Sequence, residues 1–240
     1  MKKIIALGAA FILGVGAGWI IQGRYWDVFL TSYIPALATL LAAFYGAKYA
    51  FQFQNDKELK DTNKRNLINT NAAIFSLSRM ANKLYIYQRD IIEPARDKQV
   101  RFLELRPTLD IEKERVKLDI ESLYFLLETD YRNLLSEVII EEERYRSAID
   151  DINTRSKIHL LEVQPLLEKS GLTAGGTYTI HEIEMLLGNR LYLMLQQSTE
   201  QIISNVDRTL VSLKQVSNKL RDGIKVLYPD EKVIHFTLPE

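Results

Sequence analysis

Three histidines are the scarcest residues in the chain that could do chemistry. His159 with Glu162, and His181 with Glu184, stand three positions apart. On a helix that spacing puts both side chains on one face. Carboxylate-bridged di-metal bundles use Glu-x-x-His pairs together with glutamates from facing helices. Here the order is reversed, and 31 acidic residues make such pairings common by chance. The expectation is therefore histidines at or near the surface, beside solvated carboxylates. Gly175-Gly176 ahead of Thr179 could offer backbone N–H groups to an anion at a helix start. No Gly-Lys-Ser/Thr comes after it, so a turn is expected there. Glu141-Glu142-Glu143 reads as the wet face of a helix. Serine, histidine and aspartate are all present, but no nucleophile elbow assembles them. With no cysteine, disulfides, thiolate metal sites and a cysteine nucleophile are excluded. No catalytic, cofactor-binding or metal site is expected, no cofactor is implied, and the chain reads as not an enzyme.

The elements that would have to position any site are unevenly built. The 240 residues are 47% hydrophobic and 26% charged, with 31 basic and 31 acidic side chains. That length allows a real buried core, and the neutral balance argues against a nucleic-acid partner. Yet most of the glycines and very few of the charges lie before Lys48. Residues 4–21 and 28–47 carry no charge at all. Each run is long enough for a hydrocarbon core, which takes roughly 17 to 25 residues of helix. The intervening residues 22–27 suit a tight turn, with Tyr25 and Trp26 as headgroup-layer rings. Together they predict a transmembrane hairpin over residues 1–51. A cleaved signal peptide is the competing reading of Met1-Lys2-Lys3 and the apolar run. Against it, Trp19, Ile20 and Ile21 stand where small residues should precede cleavage.

Flanking cations set orientation. Lys2 and Lys3 precede the first span, Arg24 lies in the turn, and Lys48, Lys57, Lys60, Lys64 and Arg65 come after the second. The expected location is the plasma (inner) membrane, multi-pass, with both termini and the bulk domain cytoplasmic. Gly14 and Gly18, and Ala38, Ala42 and Gly46, form small-residue ridges that let helices approach closely in lipid. Pro35 should kink the second span. Lys57, Lys60 and Lys64 make a stripe that could touch anionic headgroups, although Asp56, Glu58 and Asp61 interleave with it.

Beyond Phe51 the periodicity is helical. Ile74, Leu77, Ala81, Leu84 and Ile91, with Gln88 in sequence, recur in steps of three and four, and Glu93-Pro94 should stop that helix. An irregular connector over 94–107 leads to a short helix over 120–127 opened by Asp119. Thr129 or Asp130 should cap the next helix. Its stripe includes Leu134, Val138, Tyr145, Ile149, Ile152, Leu160, Val163 and Leu167, with Pro165 kinking its end. Thr179 to Glu182 is a capping box, and Gly188 can bend the helix that the box opens. Ile203, Val206, Leu210, Leu213, Ser217, Leu220, Ile224 and Leu227 form a heptad seam. Val233 to Phe236 could add a short strand. The runs 52–92, 130–169 and 189–227 are each about 40 residues, or roughly 60 Å of helix. The fold class is all-α: an N-terminal transmembrane helical hairpin, then over 52–240 an elongated antiparallel helical bundle with coiled-coil character and a short C-terminal tail.

The stretches NLINTNAAIFSLSRMANKLYIYQRDIIEP, DIESLYFLLETDYRNLLSEVIIEEERYRSAIDDINTRS and NVDRTLVSLKQVSNKLRDGIKVLYP resemble an uncharacterised family of bacterial membrane-anchored helical proteins. The resemblance implies the same layout and brings no activity, cofactor or site residue with it. The expected function is that of a non-enzymatic integral membrane protein whose cytoplasmic bundle mediates self-association or docks a partner. The expected partners are the lipid bilayer and a second copy or another protein. One alternative is a membrane effector or pore-type protein of a stress or phage response. The other is a metal-dependent enzyme built on the His-x-x-Glu pairs. Six residues between the spans cannot form a domain for external ligands.

Overall fold

The computed structural model describes residues 29–108, 116–170, 178–235 and 237. The expected first span (4–21), its glycine ridge, and Gly175-Gly176 lie outside the described residues. Among the described residues the chain is helical with no strand. It divides into two compact units, Met1–Thr62 and Asn63–Glu240. The long helices are α1 (Ile34–Tyr87), α3 (Arg132–Ile158) and α5 (Ile180–Leu227), with the short α2 (Arg101–Glu104) and α4 (Gln164–Lys169) between them.

In the first unit a π-turn, Phe29–Tyr33, leads into the first part of α1. Every residue from 31 to 62 is exposed, including Leu40, Phe44, Phe51 and Phe53. The helical run Thr31–Ile92 is long and apolar enough to cross a membrane, and none of its most apolar window is buried. The rod runs on from the apolar segment without interruption, as the sequence suggested.

Three prolines shape the helix ends in the same way. π-turns at Phe29–Tyr33, Gln88–Ile92 and His159–Val163 each end two residues before a proline, at Pro35, Pro94 and Pro165. A proline has no N–H and its ring collides with the carbonyl four residues back, which in each case falls inside the widened turn. Adding a residue to that turn relieves the collision and rotates the downstream segment by about 100°. The expected stop at Glu93-Pro94 and kink at Pro165 take this form. Ile92, rather than Ile91, is consequently the fully buried residue after Tyr87.

In the second unit, hydrogen bonds give the helix directions. Between α3 and α5, Lys219 Nζ meets Glu137 at 2.7 Å, Ser212 Oγ donates to Glu141 at 2.6 Å, and Asn205 donates to Asp151 at 2.7 Å. Arg190 then meets Glu162 at 3.0 Å. Rising numbers on one helix meet falling numbers on the other, so the two are antiparallel. Likewise Asn66 donates to Tyr228 Oη at 3.2 Å and Gln88 to Asp207 at 2.7 Å, so α1 is also antiparallel to α5. Helices α1 and α3 therefore run parallel. This departs from the expected antiparallel alternation of three rods joined by reversing connections. The chain comes back between them: Thr108 N–H donates to Ser156 Oγ at 3.1 Å, and Asn69 donates to the Ser122 carbonyl at 3.1 Å. Extended backbone covers about 3.3 Å per residue against 1.5 Å in a helix, so a connector half as long suffices. The 3₁₀ helix Glu121–Glu128, expected as an ordinary short helix, ends the return.

The larger core joins Ile74, Leu77 and Leu84 of α1, Val138 and Ile152 of α3, and Val206, Leu213 and Leu220 of α5. The seam residues Leu210, Leu213, Leu220 and Ile224 are buried as expected, whereas Ile202 rather than Ile203 is the fully buried one. A smaller core gathers Phe102, Val163, Ile183, Leu187, Leu191 and Leu195. Of the residues expected on the α3 stripe, Val163 is buried but Leu160 is 39% exposed, and the neighbouring His159 is buried in its place. The Thr179–Glu182 capping box forms in both directions. Thr129 Oγ1 accepts from the Tyr131 N–H, one residue before α3 proper, so no side chain caps that helix. Gly188, at φ +70°, breaks the helical path inside α5, a conformation that L side chains rarely adopt. Val233 to His235 form no strand, and Ile234 N–H donates to Asn71 Oδ1 at 3.0 Å.

Candidate functional site

Arg155 is the largest fully buried side chain in the described structure, at 0% exposure. It stands three positions after Ile152, so the helical repeat places it on the core face of α3. Nε donates to Thr199 Oγ1 of α5 at 3.1 Å, and Nη2 donates to the Phe102 carbonyl of α2 at 2.9 Å. Nη1 has no partner. Among the described residues no carboxylate pairs with it.

The local architecture explains the contacts that Arg155 does make. The last carbonyls of any helix lack an intrahelical donor and carry the negative end of its dipole. In the four-residue α2 that applies to Phe102 and Leu103. Phe102's carbonyl receives Arg155, and Leu103's backbone hydrogen-bonds to His159. Phe102's own ring plugs the smaller core and stacks edge-on to Tyr192 at 5.1 Å. The buried cation is thus met by neutral carbonyl and hydroxyl dipoles alone.

Two further buried polar groups feel its charge. Tyr87, at the end of α1, and His159, on α3's π-turn, are both nearly fully buried. The Tyr87 hydroxyl and His159 Nδ1 have no partner. Burial pushes the Tyr87 hydroxyl up to about 12, opposed in part by the Arg155 charge. Burial pushes Arg155 down to about 10. His159 is lowered below its ordinary 6.5, first by burial and then by Arg155, with the Leu103 bond opposing. A depression of Arg155 from 12.5 to about 10 withholds about 3 kcal/mol of stability at neutral pH. Each buried unpaired polar atom costs about 1 to 3 kcal/mol more. Three such atoms, on residues linked by one charge, are an expensive arrangement for a region with no other role.

The residues singled out from the sequence fall elsewhere or behave differently. Glu162 is turned to Arg190 at 3.0 Å, and His159 is committed to Leu103 beside a cation, a poor setting for a metal. His181 is exposed at the start of α5 and Glu184 partly so. Among the described residues no three His, Asp or Glu side chains come together as metal ligands would. The acidic triplet is not uniformly wet. Glu141 is 2% exposed, accepting from Ser212 and from Arg144 Nη1 at 2.7 Å, while Glu142 is intermediate and Glu143 exposed. The signal for both missed residues was available. Glu141 and Arg155 are charged side chains standing on an otherwise apolar helical stripe, between Val138 and Tyr145 and after Ile152. Tyr87 gave no such signal, since a tyrosine on a stripe reads as ordinary core.

No family model, no curated protein and no solved structure matches the chain.

Proposed function

We propose that the chain is a non-enzymatic, membrane-anchored protein whose helical second unit docks a second copy or another protein on the cytoplasmic side. The observation that carries the anchoring is the exposed, uncharged run from Thr31 to Ala47. Exposed Leu, Phe and Tyr side chains over that length cost too much in water, and lipid is the solvent that accepts them. Tyr45, Tyr49, Phe51 and Phe53 then fall at one end of the run, where ring side chains favour the headgroup layer. Lys48, Lys57, Lys60, Lys64 and Arg65 come next, which favours a cytoplasmic second unit.

Docking is supported by α1 within the second unit. Ile68, Phe75 and Ile86 are all exposed, Phe75 at 58%. Positions 68 and 86 are about five helical turns apart and 75 lies close to the same line, so the three form one outward stripe. It lies opposite the core stripe through Ile74, Leu77 and Leu84. An apolar stripe left outside a satisfied core is the usual mark of an interface.

Two measurements test this. A photo-crosslinking residue at Phe75 should give a discrete adduct in native membranes, and one at Lys214 should not. Adducts at neither position would remove the docking role. Alkaline phosphatase fused after Glu240 should be inactive, and an active fusion would reverse the orientation.

A further inference from the structure

We infer that the cleft between α3 and α5 at Arg144 and Arg208 binds a phosphate dianion, either free phosphate or a phosphomonoester. The cleft is a cavity of about 300 Å³ lined by Arg144 and Ser147 of α3 and by Asn205, Arg208, Thr209 and Ser212 of α5. Spacings of three and four put each set on one face of its helix. None of the six side chains is hydrophobic. Two bonds between the helices bracket the space, Asn205 to Asp151 at 2.7 Å and Ser212 to Glu141 at 2.6 Å. The volume stands at the lower end for small-molecule sites, which run from roughly 300 to 1,000 Å³.

The donors around this space are largely unused. Among the described residues, the Arg208 guanidinium and the Ser147 and Thr209 hydroxyls have no hydrogen bond or ion pair within the protein. Thr209 is only 4% exposed, and its hydroxyl is not sealed in the core as the orphaned atoms of Tyr87, Arg155 and His159 are. What remains open of it faces the cleft. Arg144 is held from beneath: Glu141, 2% exposed, accepts from Arg144 Nη1 with one oxygen and from Ser212 with the other. That pairing offsets the Arg144 charge and leaves the charge of Arg208 unmatched. Asp151, which does not line the cleft, accepts from Asn205 and Gln201.

An anion here would accept from Arg208, from the Arg144 N–H groups that Glu141 leaves over, and from two hydroxyls. A carboxylate has two oxygens for these four groups. A phosphomonoester has three terminal oxygens and a second negative charge, and guanidinium groups match it in bidentate fashion. The cleft lies on α3 and α5, not on the α1 stripe, so its test is independent of the docking role.

The test is phosphorus NMR line broadening of glycerol phosphate, titrated with the full chain in non-ionic detergent and phosphate-free buffer. The resonance should broaden saturably. Inorganic phosphate is titrated in the same way. Tighter binding of glycerol phosphate identifies a phosphomonoester, and tighter binding of inorganic phosphate the free ion. Acetate at matched ionic strength should compete at least about tenfold more weakly than either. Arg208 is exposed and unpaired, so Arg208→Gln should leave the fold intact and weaken binding about tenfold, the loss of a charged hydrogen bond. Thr209→Val keeps the shape without the hydroxyl and should weaken binding about fivefold. Ser147→Met fills the cleft with every charge in place and should abolish binding. Lys219→Ala, which removes a charge elsewhere on α5, should change nothing. No saturable broadening, equal competition by acetate, an equal loss in Lys219→Ala, or a Kd unchanged in Arg208→Gln and Ser147→Met overturns the proposal.

Discussion

The α3–α5 interface contains two kinds of packing. From Leu134 to Ile152 on α3, and from Ile202 to Ile224 on α5, the facing side chains are mainly apolar and fully buried. Beyond Ile152 the same two helices enclose Arg155, His159 and Thr199 instead, with Tyr87 of α1 nearby. The first stretch is what a sequence does to hold a fold together. The second forgoes stability at three unpaired atoms, and cores retain such groups where they serve recognition or uniqueness rather than strength. The two stretches should therefore respond to truncation with opposite signs.

The largest effect belongs to the apolar stretch. Leu213→Ala, at a site with 0% exposure, should cost about 2 to 5 kcal/mol in chemical denaturation, while Lys214→Ala, on the exposed side of α5, should change little. Equal effects would mean that the seam is not core. Arg155→Met replaces a buried unpaired charge with an apolar chain of similar length. It should leave stability unchanged or raise it by up to about 3 kcal/mol. A clear loss would show that the guanidinium is structural and would dissolve the contrast.

Gly223 sharpens the apolar side of the comparison. A Cβ there would lie 2.9 Å from Tyr131 Cδ1 and 3.2 Å from Leu134 Cδ1. Gly223→Ala should lose about 1 kcal/mol net, the crowding outweighing alanine's better helix propensity; a gain would show that Tyr131 yields freely. On the polar side, His159 has a folded-state value below its unfolded 6.5. The unfolded chain therefore takes up the proton first, and stability should fall as pH drops below about 7, by less than about 1.4 kcal/mol per pH unit. His159→Gln should flatten that slope. An unchanged slope would assign the pH dependence to other groups. The smallest effect is at the rim: Lys219→Ala removes the 2.7 Å pair to Glu137 and should cost under about 1 kcal/mol. A larger loss would make that pair part of the core.

Periodicity made much of this legible. The capping box at Thr179, the break at Gly188 and the buried Leu210–Ile224 seam arise from local chemistry that any chain must obey. Helix direction was not legible, because the stripes of α1 and α3 look the same whether the rods alternate or run parallel. The difference lies in the connector, where Asn69 reaches Ser122 and Thr108 reaches Ser156, contacts between residues remote in sequence. The widened turns before Pro94 and Pro165 could be anticipated only as disturbances. A proline states that a bond is lost and leaves open how the helix adjusts. The polar site was half visible. Arg155 and Glu141 broke the stripe, but only the fold shows that Glu141 is satisfied by Ser212 and Arg144 whereas Arg155 is short of a partner.

The pairing of Asn66 with Tyr228 and of Asn71 with Ile234 has a mechanical consequence. The second unit takes in its chain and lets it out at the same end, so tension between α1 and the C-terminal tail peels α5 from α1 rather than sliding one along the other. Peeling breaks contacts one after another, starting at Asn66–Tyr228 and reaching Asp207 last. There Gln88 and both Nη atoms of Arg96 hold one carboxylate, and that staple should set the force at which the unit comes apart.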